Sequence, residues 1–209
     1  MKVLISAGPT REKIDPVRFI TNFSTGKMGY ALAAAAAEAG HEVTLVSGPV
    51  ALNAPENVQR ISVESAAEMA EAVFAAAPQQ DIIIMAAAVA DYRPAEVADQ
   101  KIKKQDGEFF LRLERTVDIL AHLGKTKQPG QLLAGFAAES ENLLQNAKGK
   151  LERKNLDWIA ANTVSDGFGT DTNTIMLLGR NGEHIQLGPD SKQAVARKMI
   201  QIFTQQKGK

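Results

Sequence analysis

The stretch Arg18-Phe19-Ile20-Thr21-Asn22-Phe23-Ser24-Thr25-Gly26-Lys27-Met28-Gly29 joins a polar loop to a helix-forming run. Before the loop, Val3 to Ala7 is a short apolar run closed by Gly8-Pro9, the pattern of a buried strand. After it, the alanine-rich residues 28–39 read as a helix ended by Gly40. The stretch therefore sits at a strand-to-helix junction. In parallel α/β sheets that junction takes phosphate-bearing ligands, because the first N–H groups of the helix point outward there. Residues 8–25 are longer than an ordinary connector, and loops of that length in compact domains tend to be functional.

Working outward, Glu42 to Ser47 and Val58 to Val63 read as strands. Ser65 to Ala77 reads as a helix, opened by a capping box of Ser65 and Glu68. Asp81 to Ala88 is the most apolar run and the expected central strand. Helix-length crossovers between strands predict an α/β fold with a Rossmann-like, mostly parallel doubly wound sheet. Further strands are expected at 108–114, 132–137 and 158–162, the last followed by a loop over 163–169. Helices are expected at 117–124, 141–154 and 191–204. Asn173 to Leu178 and Glu183 to Leu187 flank Arg180-Asn181-Gly182, which predicts a late antiparallel β-hairpin.

The 209 residues suffice for one sizeable α/β domain, and one domain over 1–209 is expected. Lys+Arg and Asp+Glu both number 24, which argues against charge-driven binding to nucleic acid or a membrane surface. With no cysteine, disulfides, thiolate metal sites and a cysteine nucleophile are excluded. The lack of cysteine fits a cytoplasmic location. His41, His122 and His184 lack ligand spacing, so no protein metal site is predicted. The apolar run at Met1 is too short for a signal peptide or a membrane span. A strand starting so early is compatible with a free-standing enzyme or with a domain of a longer chain.

The opening stretch matches neither common phosphate motif. Met28 stands where a Walker A loop needs Ser or Thr, and the dinucleotide glycine spacing is missing. Gly26 and Gly29 nonetheless let backbone N–H groups approach an anion, and Ser24 and Thr25 add hydroxyls. The competing reading is a Ser24 or Thr25 N-cap, with the glycines serving close helix–sheet packing. Arg18 suits a carboxylate or phosphate; Asn22 suits an oxyanion or serves as a turn residue. After the central strand, Ala86-Ala87-Ala88 leaves room for a flat ligand. Asp91 then accepts from a base or ribose, helps hold a metal through water, or caps a helix. Lys101, Lys103 and Lys104 suit a triphosphate or form a solvated turn. Lys150 and Lys154 share a helix face, facing a ligand or the helix dipole.

Eight short motifs then occur in order. They are Ala7-Gly8-Pro9-Thr10-Arg11-Glu12, Asp15-Pro16-Val17-Arg18, Asn22 to Gly29, Val46-Ser47-Gly48-Pro49, Ala87 to Tyr92, Lys101-Ile102-Lys103-Lys104, Gly135-Phe136-Ala137-Ala138-Glu139 and Arg153-Lys154-Asn155-Leu156-Asp157. Each is weak alone. Together, over nearly the whole chain, they resemble the phosphopantothenoylcysteine synthetases of coenzyme A biosynthesis, of the bacterial kind often fused behind a flavin-dependent decarboxylase.

The resemblance implies a ligase of 4′-phosphopantothenate and L-cysteine that uses CTP with Mg²⁺. The acid attacks the α-phosphate of CTP, pyrophosphate leaves, and the cysteine amine displaces CMP from the acyl-cytidylate. By resemblance Asn22 holds the acyl-cytidylate carbonyl, Lys101 acts on the phosphates or the intermediate, and Arg18 supports them. Met85, Ala86, Ala87, Ala88 and Asp91 line the CTP pocket, with Ala88 close to the intermediate. Val117, Asp118, Ile119, Leu120, Phe136, Lys150 and Lys154 complete it. CTP phosphates are expected at Ser24, Gly26 and Gly29. A homodimer is implied, with the Lys101 segment at the contact. Two departures stand out. Thr116-Val117 precedes Asp118 where the family usually carries a proline, which predicts a differently shaped loop. Phe23 stands where His or Arg is common, so no polar role exists there. The runner-up reading is a nicotinamide or flavin oxidoreductase on the same fold, disfavoured by the glycine spacing and the long first loop. A non-catalytic nucleotide-binding module is the third, and it leaves Arg18 and Asn22 without a role.

Overall fold

The computed structural model describes residues 1–104, 106–139, 142–163 and 172–207. The loop expected over 163–169 falls outside them beyond Thr163. Twelve strands and five α-helices form in chain order among the described residues. They are β1 Lys2–Ala7, β2 Arg11–Lys13, β3 Phe19–Thr21, α1 Lys27–Glu38, β4 Glu42–Ser47, β5 Val58–Ser62, α2 Ala66–Ala76 and β6 Ile82–Met85. Then follow β7 Tyr92–Pro94, β8 Leu113–Arg115, α3 Ile119–Thr126, β9 Leu132–Glu139, α4 Leu143–Arg153, β10 Trp158–Thr163, β11 Thr172–Gly179, β12 His184–Ser191 and α5 Lys192–Lys207.

Eight strands make one sheet in the order β12-β11-β10-β9-β6-β1-β4-β5. Pairing is parallel from β5 to β10, and β11 and β12 close the far edge antiparallel. The central strands are buried on both faces, which is why their sequences run continuously apolar. Val3, Ile5 and Ala7 of β1 face one core with Leu32 and Ala36 of α1 and Val195, Met199 and Phe203 of α5. Leu4 faces the other, with Met69 and Val73 of α2, Leu123 of α3 and Leu151 of α4. Helices thus cover both faces, as the doubly wound expectation requires. Among the described residues, no helix is long and apolar enough to cross a membrane.

The chain builds outward from β1 through β4 and β5, then returns to place β6 on the other side of β1. The winding direction therefore reverses at β1/β6. The loops leaving the carboxyl ends of these two strands stay bonded to each other through Gly8, Thr10 and Ala88, and a crevice opens beside them at this switch point, toward the start of α1.

Three local expectations are corrected. The expected strand over 81–88 pairs only through Met85. Its neighbour β1 stops at Ala7, where Gly8 turns to φ 76°, so the regular ladder breaks on that side. Beyond this, Pro9 and Ala88 form an isolated bridge, and the Ala88 N–H donates to the Gly8 carbonyl at 2.9 Å. The expected strand over 108–114 is reduced to Leu113–Arg115, paired with β7 outside the main sheet. Phe109 and Phe110 are both exposed there, so the alternation has no core to face. The loop over 8–25 carries the hairpin β2/β3 and is held at several points. Buried Glu12 accepts from the Ala66 N–H at the start of α2 at 2.9 Å, and buried Thr10 accepts from the Ala90 N–H at 3.0 Å.

The late hairpin forms as expected, and Ser65 caps α2 as expected, though the Glu68 carboxylate reaches back to the Glu64 N–H at 2.9 Å instead of the Ser65 N–H. Ser65 Oγ accepts from the Glu68 N–H at 3.2 Å. The hairpin turns through Arg180-Asn181-Gly182, with Gly182 at φ 91°, a conformation that suits glycine.

Candidate active site

Gly26 is the N-cap of α1, in the left-handed region at φ 77°. Neither Ser24 nor Thr25 takes that position, so the capping alternative for them does not hold. Ser24 Oγ instead accepts from the Gly26 N–H at 3.3 Å, which shapes the approach to the helix. A glycine cap brings no side chain over the first turn of α1, so anion-binding geometry is retained. Gly29 also serves close packing. A Cβ there would stand 2.5 Å from Ala7 Cβ on β1, so both readings of this residue apply.

These residues wall a cleft of about 270 Å³ at the β1/β6 crevice. Ser24 to Gly29 form one side, and Ala86 to Val89 with Asp91 form another. Phe136 and Ala138 from the end of β9, and Lys150 from α4, line it further. A smaller lobe of about 120 Å³ continues from it, sharing Ala87, Val89, Asp91, Phe136 and Lys150. Met85, Ala90, Thr116, Val117, Asp118, Ile119, Leu120 and Lys154 complete that lobe. The fold thus gathers almost every residue expected to meet the nucleotide, from five separate segments. The alanines after β6 keep the crevice open, and its backbone remains reachable.

The charged groups are arranged by their neighbours. Lys150 Nζ donates to the Phe136 carbonyl at 2.8 Å. Lys154 Nζ lies 2.9 Å from Asp118, whose carboxylate also caps α3 by accepting from the Ala121 N–H at 3.0 Å. Burial alone would raise the Asp118 carboxyl; the Ala121 N–H and the Lys154 ammonium outweigh it and hold the group below its ordinary value. Both lysines therefore turn toward the lobe. Asp91 is exposed and caps no helix, since β7 begins at Tyr92. Thr116 pins the loop before α3 by donating to the Ala90 carbonyl at 2.6 Å, with Val117 left exposed. Among the described residues, no group of three or more His, Asp or Glu side chains could hold a metal ion.

Three expected residues stand apart from the lining. Asn22 Nδ2 donates to the Ala88 carbonyl at 3.0 Å, so it touches the wall from outside. Lys101 is exposed in a segment without regular structure and lines neither lobe. Arg18 also lines neither; its guanidinium grips Asp15 at 2.6 Å and the Ile102 carbonyl at 3.1 Å.

The structure adds residues to the larger lobe that sequence reasoning missed. Asn162 on β10, Asn173 on β11 and Lys192 at the start of α5 all line it and are all buried. Asn162 donates to Asn173 at 3.4 Å. A signal for Lys192 exists in the sequence. It falls in register with the buried stripe of Val195, Ala196, Met199, Ile200 and Phe203, where an unneeded charge would be costly.

Comparison with known proteins agrees with this architecture. Residues 1–206 match the family described as DNA/pantothenate metabolism flavoprotein C-terminal domain. The chain is 51% identical over 203 residues to the coenzyme A biosynthesis bifunctional protein CoaBC of Bacillus subtilis (strain 168), covering 95% of this chain and 50% of that protein. The CoaBC of Haemophilus influenzae (strain ATCC 51907 / DSM 11121 / KW20 / Rd) is 50% identical over 202 residues, covering 96% and 50%. The chain spans about half the length of these curated relatives. Among solved structures, the crystal structure of the C-terminal domain of CoaBC superposes with a TM-score of 0.85 at 48% identity, covering 100% of this chain and 96% of that chain. With a match over nearly its whole length and half its residues shared with these relatives, the chain belongs to the DNA/pantothenate metabolism flavoprotein C-terminal domain family.

Proposed function

We propose that the chain is a phosphopantothenate–cysteine ligase domain of coenzyme A biosynthesis. It joins 4′-phosphopantothenate and L-cysteine, with CTP activating the acid as an acyl-cytidylate. The observation that carries this reading is the two-lobed cleft at the β1/β6 crevice, within a chain half identical to CoaBC proteins. A carboxylate is a poor acceptor for an amine, so the acid must first be given a leaving group. The chain has no cysteine to form a thioester, and the cleft brings glycine backbone, lysines and small residues together. Those parts suit catalysis by positioning and charge stabilisation.

The larger lobe would take the phosphates against Ser24, Gly26 and Gly29. The smaller lobe, with Met85, Val117 to Leu120 and Phe136, would take the nucleoside, Lys150 and Lys154 adding positive charge. Magnesium enters on the triphosphate as part of the substrate. Asp91, on both lobes, is a carboxylate available to its water shell. Ala88 would stand at the carbonyl being activated, with Asn22 held against it. Lys101 would act on the developing charge from its exposed segment.

Pyrophosphate release tests the reading. Mixing the protein with CTP, phosphopantothenate and Mg²⁺ should release pyrophosphate, and adding cysteine should release CMP and amide product. ATP in place of CTP should support a lower rate. Absence of pyrophosphate release, with tight NAD(P) binding instead, would replace the ligase with an oxidoreductase.

A further inference from the structure

The first loop and the Lys101 segment are more than 80 residues apart in sequence, yet one ion pair sews them together. Asp15 has almost no exposed surface, at 1%. Its Oδ1 accepts from the Val17 and Arg18 N–H groups at 2.8 and 2.9 Å, an Asx-type turn that fixes the carboxylate. Its Oδ2 accepts from Arg18 Nη2 at 2.6 Å and Nε at 3.1 Å, and from the Ile102 N–H at 3.1 Å. Arg18 Nη2 then donates to the Ile102 carbonyl at 3.1 Å. Both backbone groups of Ile102 are thus held by the two halves of one ion pair. A further bond, from the Ala98 N–H to the Ile14 carbonyl at 3.0 Å, fixes the incoming chain.

Burial would cost this carboxylate stability if it stood alone. The Arg18 guanidinium, helped by the backbone N–H groups, holds the Asp15 carboxyl well below the usual range. The grip is planar and two-pronged, which an arginine provides and a lysine does not. Around it, Lys101, Lys103 and Lys104 are exposed and belong to no strand or helix. Backbone held at Ile102 in an otherwise irregular segment sets where the adjacent Lys101 side chain can reach.

We propose that Asp15 and Arg18 form a clamp on Ile102 that positions Lys101 for the reaction, Arg18 acting through the segment and not on the substrate. This rests on the role given to Lys101 above. Four variants of the chain test it: Arg18→Ala, Arg18→Lys, Lys101→Ala and Arg18→Ala/Lys101→Ala. Arg18→Ala leaves the Asp15 carboxylate its three backbone N–H donors, and circular dichroism with thermal melts checks that the variants fold. Tryptic cleavage after residues 101, 103 and 104, followed by mass spectrometry, should quicken roughly tenfold in Arg18→Ala, and less in Arg18→Lys. Turnover of Arg18→Ala should fall while KM for the nucleotide stays near wild type, and Arg18→Lys should recover part of it. The double variant should be no slower than Lys101→Ala. Unchanged cleavage would overturn the clamp. So would a double variant that loses the product of the two single effects, which would put Arg18 on the substrate. Wild-type turnover in Lys101→Ala would instead overturn the role of Lys101, an outcome distinct from either.

Discussion

Asn22 and Lys101 look alike in the motifs but differ in how they are held. Asn22 is fixed to the cleft wall through the Ala88 carbonyl, whereas Lys101 hangs from a segment tethered at Ile102. If both act on charge that appears only during reaction, truncating either should lower kcat on the order of tenfold or more at near-constant KM. Steady-state kinetics of Asn22→Ala and Lys101→Ala, with thermal melts as the folding check, measure this. Wild-type turnover in a folded variant would remove that residue from the site. Asp118 shows the opposite case, a residue whose motif position suggests ligand contact while its visible work is to cap α3 and hold Lys154. A residue's hydrogen bonds therefore say more about what it does than its position in a motif.

At the scale of the element, α1 carries the site because it lies very close to β1. Its buried alanines and Gly29 permit that approach, and the approach brings its N-terminus to the crevice. Gly29→Ala would set a methyl 2.5 Å from Ala7 Cβ and 3.1 Å from the Ser6 carbonyl oxygen. Strand β1 is central and cannot yield, so α1 must shift. We expect a loss of about 1–3 kcal/mol in urea denaturation. Under the proposed function CTP binding should weaken as well, since the helix start would move off its phosphates. Unchanged stability and unchanged CTP affinity would show that the contact relaxes freely.

For the whole molecule, exposed apolar side chains collect on the irregular segment between β6 and α3. Val97, Phe109, Phe110 and Leu113 are all exposed, Phe110 at 83%. The expected homodimer would bury this segment at its contact. Sedimentation equilibrium should give twice the chain mass, and Phe110→Asp should shift the equilibrium toward monomer. An unchanged dimer in that variant would move the contact elsewhere. Burying this surface would also order the region that carries Lys101, which would tie assembly to turnover.

Strand–helix alternation, the Ser65 cap, the Asn-Gly hairpin and the cleft-lining residues from Met85 to Lys154 could all be read from the chain alone. They depend on local periodicity, turn chemistry and short motifs, which sequence carries directly. Strand order decided the rest. It placed β6 beside β1 and so made a cleft from residues 24–29 and 86–91. It brought Asn162, Asn173 and Lys192 to the same lobe and set Asp15 and Arg18 on the backbone of Ile102. Such meetings join residues far apart in sequence. No local pattern encodes them, because what fixes each is the packing of the elements between.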